Sequence, residues 1–168
     1  MQKSIILVGM PGAGKSTLGI QLAKKLALNF VDTDLLIQLQ AGCPLQHILD
    51  EQGYQALRDV EEKVLLDNKF PGFVVATGGS AVYSEKGMQH LKQYGPVVFL
   101  DVPLDELRNR IDDYETRGIA KRPEQSFNEL FEERLSLYNK YADITINCDS
   151  RDQNSLLAEI VRSAQAGV

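Results

Sequence analysis

A three-layer α/β/α fold on a five-stranded parallel sheet is the architecture this sequence predicts. Three observations carry the prediction. Apolar runs recur, as in Ile5-Ile6-Leu7-Val8 and Val97-Val98-Phe99-Leu100. They are short enough for strands and unbroken enough to be covered on both faces. Segments with helical spacing separate them, and alternating strands and helices call for parallel pairing with helices on either side. Finally, Gly9-Met10-Pro11-Gly12-Ala13-Gly14-Lys15-Ser16-Thr17 joins the first strand to the first helix and fits G-x-x-x-x-G-K-[ST].

The elements follow in order. Ser4–Val8 reads as a strand and Lys15–Ala27 as a helix, with Leu18, Leu22 and Leu26 on one face. Phe30–Asp32 is a short strand. Asp34–Gln40, Leu45–Gln52 and Tyr54–Asn68 are helices. Phe73–Ala76 is a strand, Glu85–Gln93 a helix, Val97–Asp101 a strand and Leu104–Asp112 a helix. Ser126–Tyr141 is a long helix, Ile144–Asn147 the fifth strand and Gln153–Ala164 the closing helix. The stretch Asp113–Gln125 is polar, contains Gly118 and Pro123, and is expected to form a lid.

Composition narrows the function classes. A chain of 168 residues suits one domain with a sizeable core. A net charge of −5 argues against nucleic-acid binding through a basic surface. Cys43 and Cys148 are too few and too far apart for a disulfide framework or a metal-type pair, and read as reduced thiols of a cytoplasmic protein. No run approaches the roughly 18 apolar residues of a membrane span. The first nine residues already make strand and loop, which leaves no room for a signal peptide. A monomer is expected. His47 and His90 are isolated, so no histidine-based metal site is expected.

The glycine loop carries the first chemistry. Its glycines let the backbone curl so that several N–H groups point inward, and the helix N-terminus adds partial positive charge. Gly12, Ala13, Gly14, Lys15, Ser16 and Thr17 are the expected nucleotide contacts, with Lys15 bridging the β- and γ-phosphates and Ser16 ligating Mg²⁺. Asp32-Thr33-Asp34 ends the second strand, where ligands of open parallel sheets sit. A spacing of two puts both carboxylates on one side of an extended chain. Asp32 could then hold Mg²⁺ through water, and Asp34 could accept a proton from a substrate hydroxyl. Asp34 also stands where a helix N-cap is expected.

Further residues are open to two readings each. Arg58 lies at the edge of a stripe formed by Leu57, Val60, Val64 and Leu65, and its spacing favours a surface pair with Glu61 or Glu62. Thr77-Gly78-Gly79-Ser80 is either a plain turn or a close approach of backbone to ligand. Arg134 follows Leu130 by four residues in the long helix. On pattern it is a solvated arginine, though its fork would suit a substrate carboxylate.

Taken together these residues resemble the shikimate kinase family. The resemblance runs from Ile5 to about Asn147. It rests on the phosphate loop, Asp32-x-Asp34, Gly53-x-x-x-Leu57-Arg58-x-x-Glu61, Thr77-Gly78-Gly79 and Glu133-Arg134-x-x-x-Tyr138-x-x-x-Ala142. It implies a single P-loop kinase domain over residues 1–168, with a lid at about 113–125, that moves the γ-phosphoryl of ATP to shikimate with Mg²⁺. It implies that Asp34, Arg58, Gly79 and Arg134 contact the acceptor, that Arg110 lies against adenine, and that Arg122 is the lid arginine. The chain departs from the family pattern at Leu49 and Leu57, where phenylalanine is usual, at Tyr54, where glutamate is usual, and at Ser80, where a third glycine is usual. These acceptor-side changes admit another hydroxy acid, such as homoserine or gluconate. A regulatory GTPase fits poorly: Asp50-Glu51-Gln52-Gly53 matches D-x-x-G but follows helical spacing, and Asn139-Lys140-Tyr141-Ala142 lacks the carboxylate that reads guanine.

Overall fold

The structure is a computed structural model that describes residues 3–111 and 117–166. Five parallel strands form one sheet: β1 (Ile5–Val8), β2 (Asn29–Asp32), β3 (Phe73–Ala76), β4 (Val97–Asp101) and β5 (Ile144–Asn147), in the order β2-β3-β1-β4-β5. Helices α1 (Lys15–Leu26), α2 (Thr33–Ala41), α3 (Leu45–Asp67), α4 (Glu85–Lys92), α5 (Leu104–Arg110), α6 (Phe127–Tyr141) and α7 (Gln153–Ala166) cover it. β1 is central: Ile6 is in register with Val75 of β3 and Val97 of β4. All four of its residues are buried, as expected of a strand with helices on both sides.

Local chemistry sets the element ends. Gly53 breaks α3 with φ 85° and ψ 172°, so the two helices read from the sequence meet at a kink. Ser126 caps α6 in a capping box with Glu129. Two expectations are corrected at the start of α2. Asp32, not Asp34, is its N-cap, with a carboxylate oxygen accepting from the Asp34 amide at 2.9 Å. The chain is therefore already helical at Thr33, and the two carboxylates converge through a helix turn rather than along a strand. The sequence also gave no sign of the short 3₁₀ turn Ala81–Tyr83 after β3. Of the expected lid, residues 113–116 lie outside the described residues, and 117–125 contain neither helix nor strand.

The main core lies on both faces of the sheet. A second buried cluster joins Ile37 of α2, Leu45, Ile48, Leu57 and Val64 of α3, and Ala120. This cluster ties the segment after residue 117 to the helices beyond β2. Among the described residues no helix is long and apolar enough to cross a membrane.

Candidate active site

The carboxyl ends of β1, β2 and β3 open on one cavity of about 390 Å³, in the place where parallel sheets bind ligands. β1 delivers the glycine loop. Gly12 and Gly14 take φ of 83° and 94°, a region open to glycine and strained for other residues. Gly14 then caps α1, whose first-turn amides have no acceptors within the helix. Gly12, Gly14, Lys15, Ser16 and Thr17 line the cavity, whereas Ala13 is buried against the core.

Lys15 is 9% exposed and donates to the carbonyls of Gly9 at 2.6 Å and Met10 at 2.9 Å. Burial lowers its pKa to about 8, against the opposing charge of Asp34. The Ser16 hydroxyl donates to Asp32 Oδ2 at 2.5 Å. Two hard oxygen donors thus stand side by side at the end of the phosphate loop, a pairing suited to Mg²⁺ completed by phosphate oxygens and water. No group of three or more metal-ligating side chains occurs among the described residues, so such an ion would need the nucleotide to complete its coordination.

Opposite the loop lie the acids. Asp34 lines the cavity, half-buried, and its pKa is raised, first by desolvation and then by the charge of Asp32. Glu61 is 2% exposed, and burial pushes its pKa up to about 7, with Asp34 adding to the effect. The Ser80 hydroxyl donates to Glu61 Oε2, while Oε1 has no hydrogen-bond partner. The glycine turn after β3 is what lets these groups meet. A Cβ on Gly78 would lie 2.5 Å from Asp34 Oδ1 and 2.6 Å from Glu61 Oε1. One on Gly79 would lie 2.6 Å from an Arg134 nitrogen. Thr77 anchors the turn by donating its hydroxyl to the Leu7 carbonyl at 2.8 Å.

Arg134 overturns the solvated reading: it is 1% exposed and lines the cavity. Arg58 overturns the surface-pair reading. Glu62 accepts from Ser84 and Glu61 from Ser80, while the Arg58 guanidinium carbon lies 3.6 Å from the centre of the Tyr83 ring. Arg58 and Arg134 converge on one atom, the Ala120 carbonyl oxygen, at 3.2 and 2.9 Å.

Arg110 lines the loop side of the cavity and donates to the Gly12 carbonyl at 3.2 Å. Arg122 is not in the cavity wall; it is exposed and pairs with Glu133 at 3.1 Å. Arg117 is in the wall instead. Sequence reasoning missed Arg117, and it treated Glu61 only as a motif residue and surface partner. The usable signal for Arg117 was the apolar pair Ile119-Ala120 just after it in a polar stretch, both buried here. Of the departures from the family pattern, Leu57 and Ser80 line the cavity, whereas Leu49 packs into the second cluster.

The family model for shikimate kinase matches residues 11–165. This chain belongs to the shikimate kinase family. It is 37% identical over 161 residues to a shikimate kinase of Sulfurihydrogenibium sp., covering 95% of this chain and 96% of that one. The solved shikimate kinase of Acinetobacter baumannii in complex with shikimate superposes with a TM-score of 0.88 at 31% identity, covering 99% of this chain and 95% of that one. The shikimate kinase of Aquifex aeolicus gives 0.81, also at 31% identity, covering 98% and 97%. These family members share with the chain the P-loop α/β fold described above, and they mark it as a phosphotransferase acting on a hydroxyl group.

Proposed function

We propose that this member of the family transfers the γ-phosphoryl group of ATP to the 3-hydroxyl of shikimate, as a cytoplasmic monomer. One observation carries the reading. A phosphate loop with its lysine faces, across a single cavity, a carboxylate of raised pKa and a buried arginine. The Acinetobacter relative that holds shikimate shares the fold over nearly the whole chain.

The geometry supports the following roles. Loop amides and Lys15 bind the phosphates, Arg110 lies against the adenine, and Arg117 in the same cavity wall faces the anionic substrates. Lys15 gives up carbonyl acceptors for charged ones, which favours its protonated form. Ser16 and Asp32 would hold Mg²⁺, which when bound neutralises charge on the phosphate oxygens. Asp34 orients the attacking hydroxyl and accepts its proton; its raised pKa brings it closer to the working pH. Arg134, with Arg58 beside it, offers the acceptor carboxylate two forks in place of the Ala120 carbonyl. Arg122 acts from the rim on this reading, through its pairing with Glu133.

The cavity wall carries four cations, Lys15, Arg110, Arg117 and Arg134, against three acids, Asp32, Asp34 and Glu61. That local excess in a chain of net charge −5 suits two anionic substrates. The test is product identity by mass spectrometry after incubation with Mg²⁺-ATP and shikimate. The expected product is shikimate carrying one phosphoryl group. Unchanged shikimate alongside released ADP would contradict the reading.

A further inference from the structure

We propose that Tyr83 is a positioning residue for Arg58, its ring fixing the plane of the guanidinium that meets the acceptor carboxylate. This deepens the acceptor reading above and rests on it. The 3.6 Å from the Arg58 guanidinium carbon to the Tyr83 ring centre is a stacking distance. Tyr54, one turn earlier on α3, offers a second ring at 5.0 Å. The Arg134 guanidinium carbon lies 5.6 Å from the same Tyr83 ring. One aromatic ring therefore stands beside both arginines.

The ring is itself held at both ends. Tyr83 closes the 3₁₀ turn Ala81–Tyr83, directly after the glycine turn. Its hydroxyl donates to Glu133 Oε1 at 2.6 Å. The other Glu133 oxygen accepts from Arg122 at 3.1 Å and Gln125 at 3.0 Å. Arg58, by contrast, has little else. It donates to the Ala120 carbonyl, its buried Nε has no hydrogen-bond partner, and no carboxylate of the described residues pairs with it.

The physical logic lies in which part of the guanidinium is used. A ring engages the face and leaves the N–H edge available. A carboxylate neighbour would engage the edge and compete with the acceptor for the same donors. Stacking thus orders Arg58 without occupying it. The rings of Tyr54 and Tyr83 supply this order in a chain that has Leu57 beside Arg58.

The experiment compares the unaltered protein with Tyr83→Leu, Tyr83→Phe and Tyr54→Leu, measuring kcat and KM for shikimate and for ATP. Tyr83→Leu is expected to raise the shikimate KM roughly tenfold, the factor for a stacking loss of ~1.4 kcal/mol. Tyr83→Phe keeps the aromatic face and should stay within about twofold. Tyr54→Leu removes the more distant ring and should cost roughly threefold. The ATP KM should not move in any of them. A shikimate KM unchanged in both leucine variants overturns the proposal. So does an equal rise in both KM values, which a merely structural role would give. If Tyr83→Leu does not fold, Tyr83→Phe and Tyr54→Leu still decide: a loss in the first or none in the second overturns it. Absence of shikimate-dependent turnover in the unaltered protein would overturn the acceptor reading and this proposal with it, and is read separately from the variants.

Discussion

Burial holds Lys15 near a pKa of 8, so its charge depends on what it touches. Phosphate oxygens favour the protonated form, and nucleotide binding should therefore take up a proton near pH 8.5. Calorimetric titration with ATP in two buffers of different ionisation enthalpy checks this. Uptake should appear at pH 8.5 and vanish by pH 6.5, where Lys15 is already charged. Glu61 is linked to folding rather than to nucleotide binding. Its folded-state pKa, raised from 4.5 to about 7, makes the folded chain bind more protons than the unfolded one between those values. Stability contributed by that proton is complete below pH 4.5 and is lost as pH rises to 7. Glu61→Gln should flatten this decline by about 1–3 kcal/mol, read from denaturant melts at pH 5 and pH 7. Lys15, Ser16 and Asp32 were legible because a contiguous motif or a strand end carries them. Arg117, Glu61 and Tyr83 were not, because their meaning comes from elements that meet only in three dimensions. Nothing in the spacing of Arg58 and Glu61 announces that one stacks on Tyr83 while the other turns to Ser80.

At the scale of elements, the turn after β3 sets the acceptor side. Two glycines there keep Asp34, Glu61 and Arg134 within reach of one backbone segment. Gly79→Ala would press its Cβ on Arg134 and on Pro11. It should raise the shikimate KM more than the ATP KM, measured by steady-state kinetics. β1 carries the phosphate loop and is buried from both sides. Leu7→Ala, at a fully buried site, should cost about 2–5 kcal/mol, seen as a lower Tm. The strands were readable because their apolar runs are short and bounded, and the α3 break because Gly53 interrupts the helical spacing. The cap of α2 was misread by two residues and its start by one, since Asp32 and Asp34 are equally good caps in sequence and only the strand end selects Asp32. The Ala81–Tyr83 turn left no pattern, as three residues are too few to show a period.

On the scale of the whole molecule, sheet order explains why the site lies where it does. With β1 between β3 and β4, the loop, the Asp32 end of β2 and the Thr77 turn emerge side by side. The second cluster carries Ala120 against α2 and α3, which sets Ala120 and Arg134 in the cavity wall and holds Arg58, outside that wall, to the same carbonyl. Layering and sheet composition could be read from alternation alone. The pairing of distant ends could not, because it depends on strand order. With Leu57 and Ser80 in its wall, the altered acceptor half should still take shikimate. Steady-state ADP release with Mg²⁺-ATP, compared for shikimate, homoserine, gluconate and no acceptor, tests it most directly. Strong stimulation by shikimate alone is expected. Silence with shikimate and turnover with another hydroxy acid would contradict it, and would mark Leu57 and Ser80 as the residues that changed the substrate.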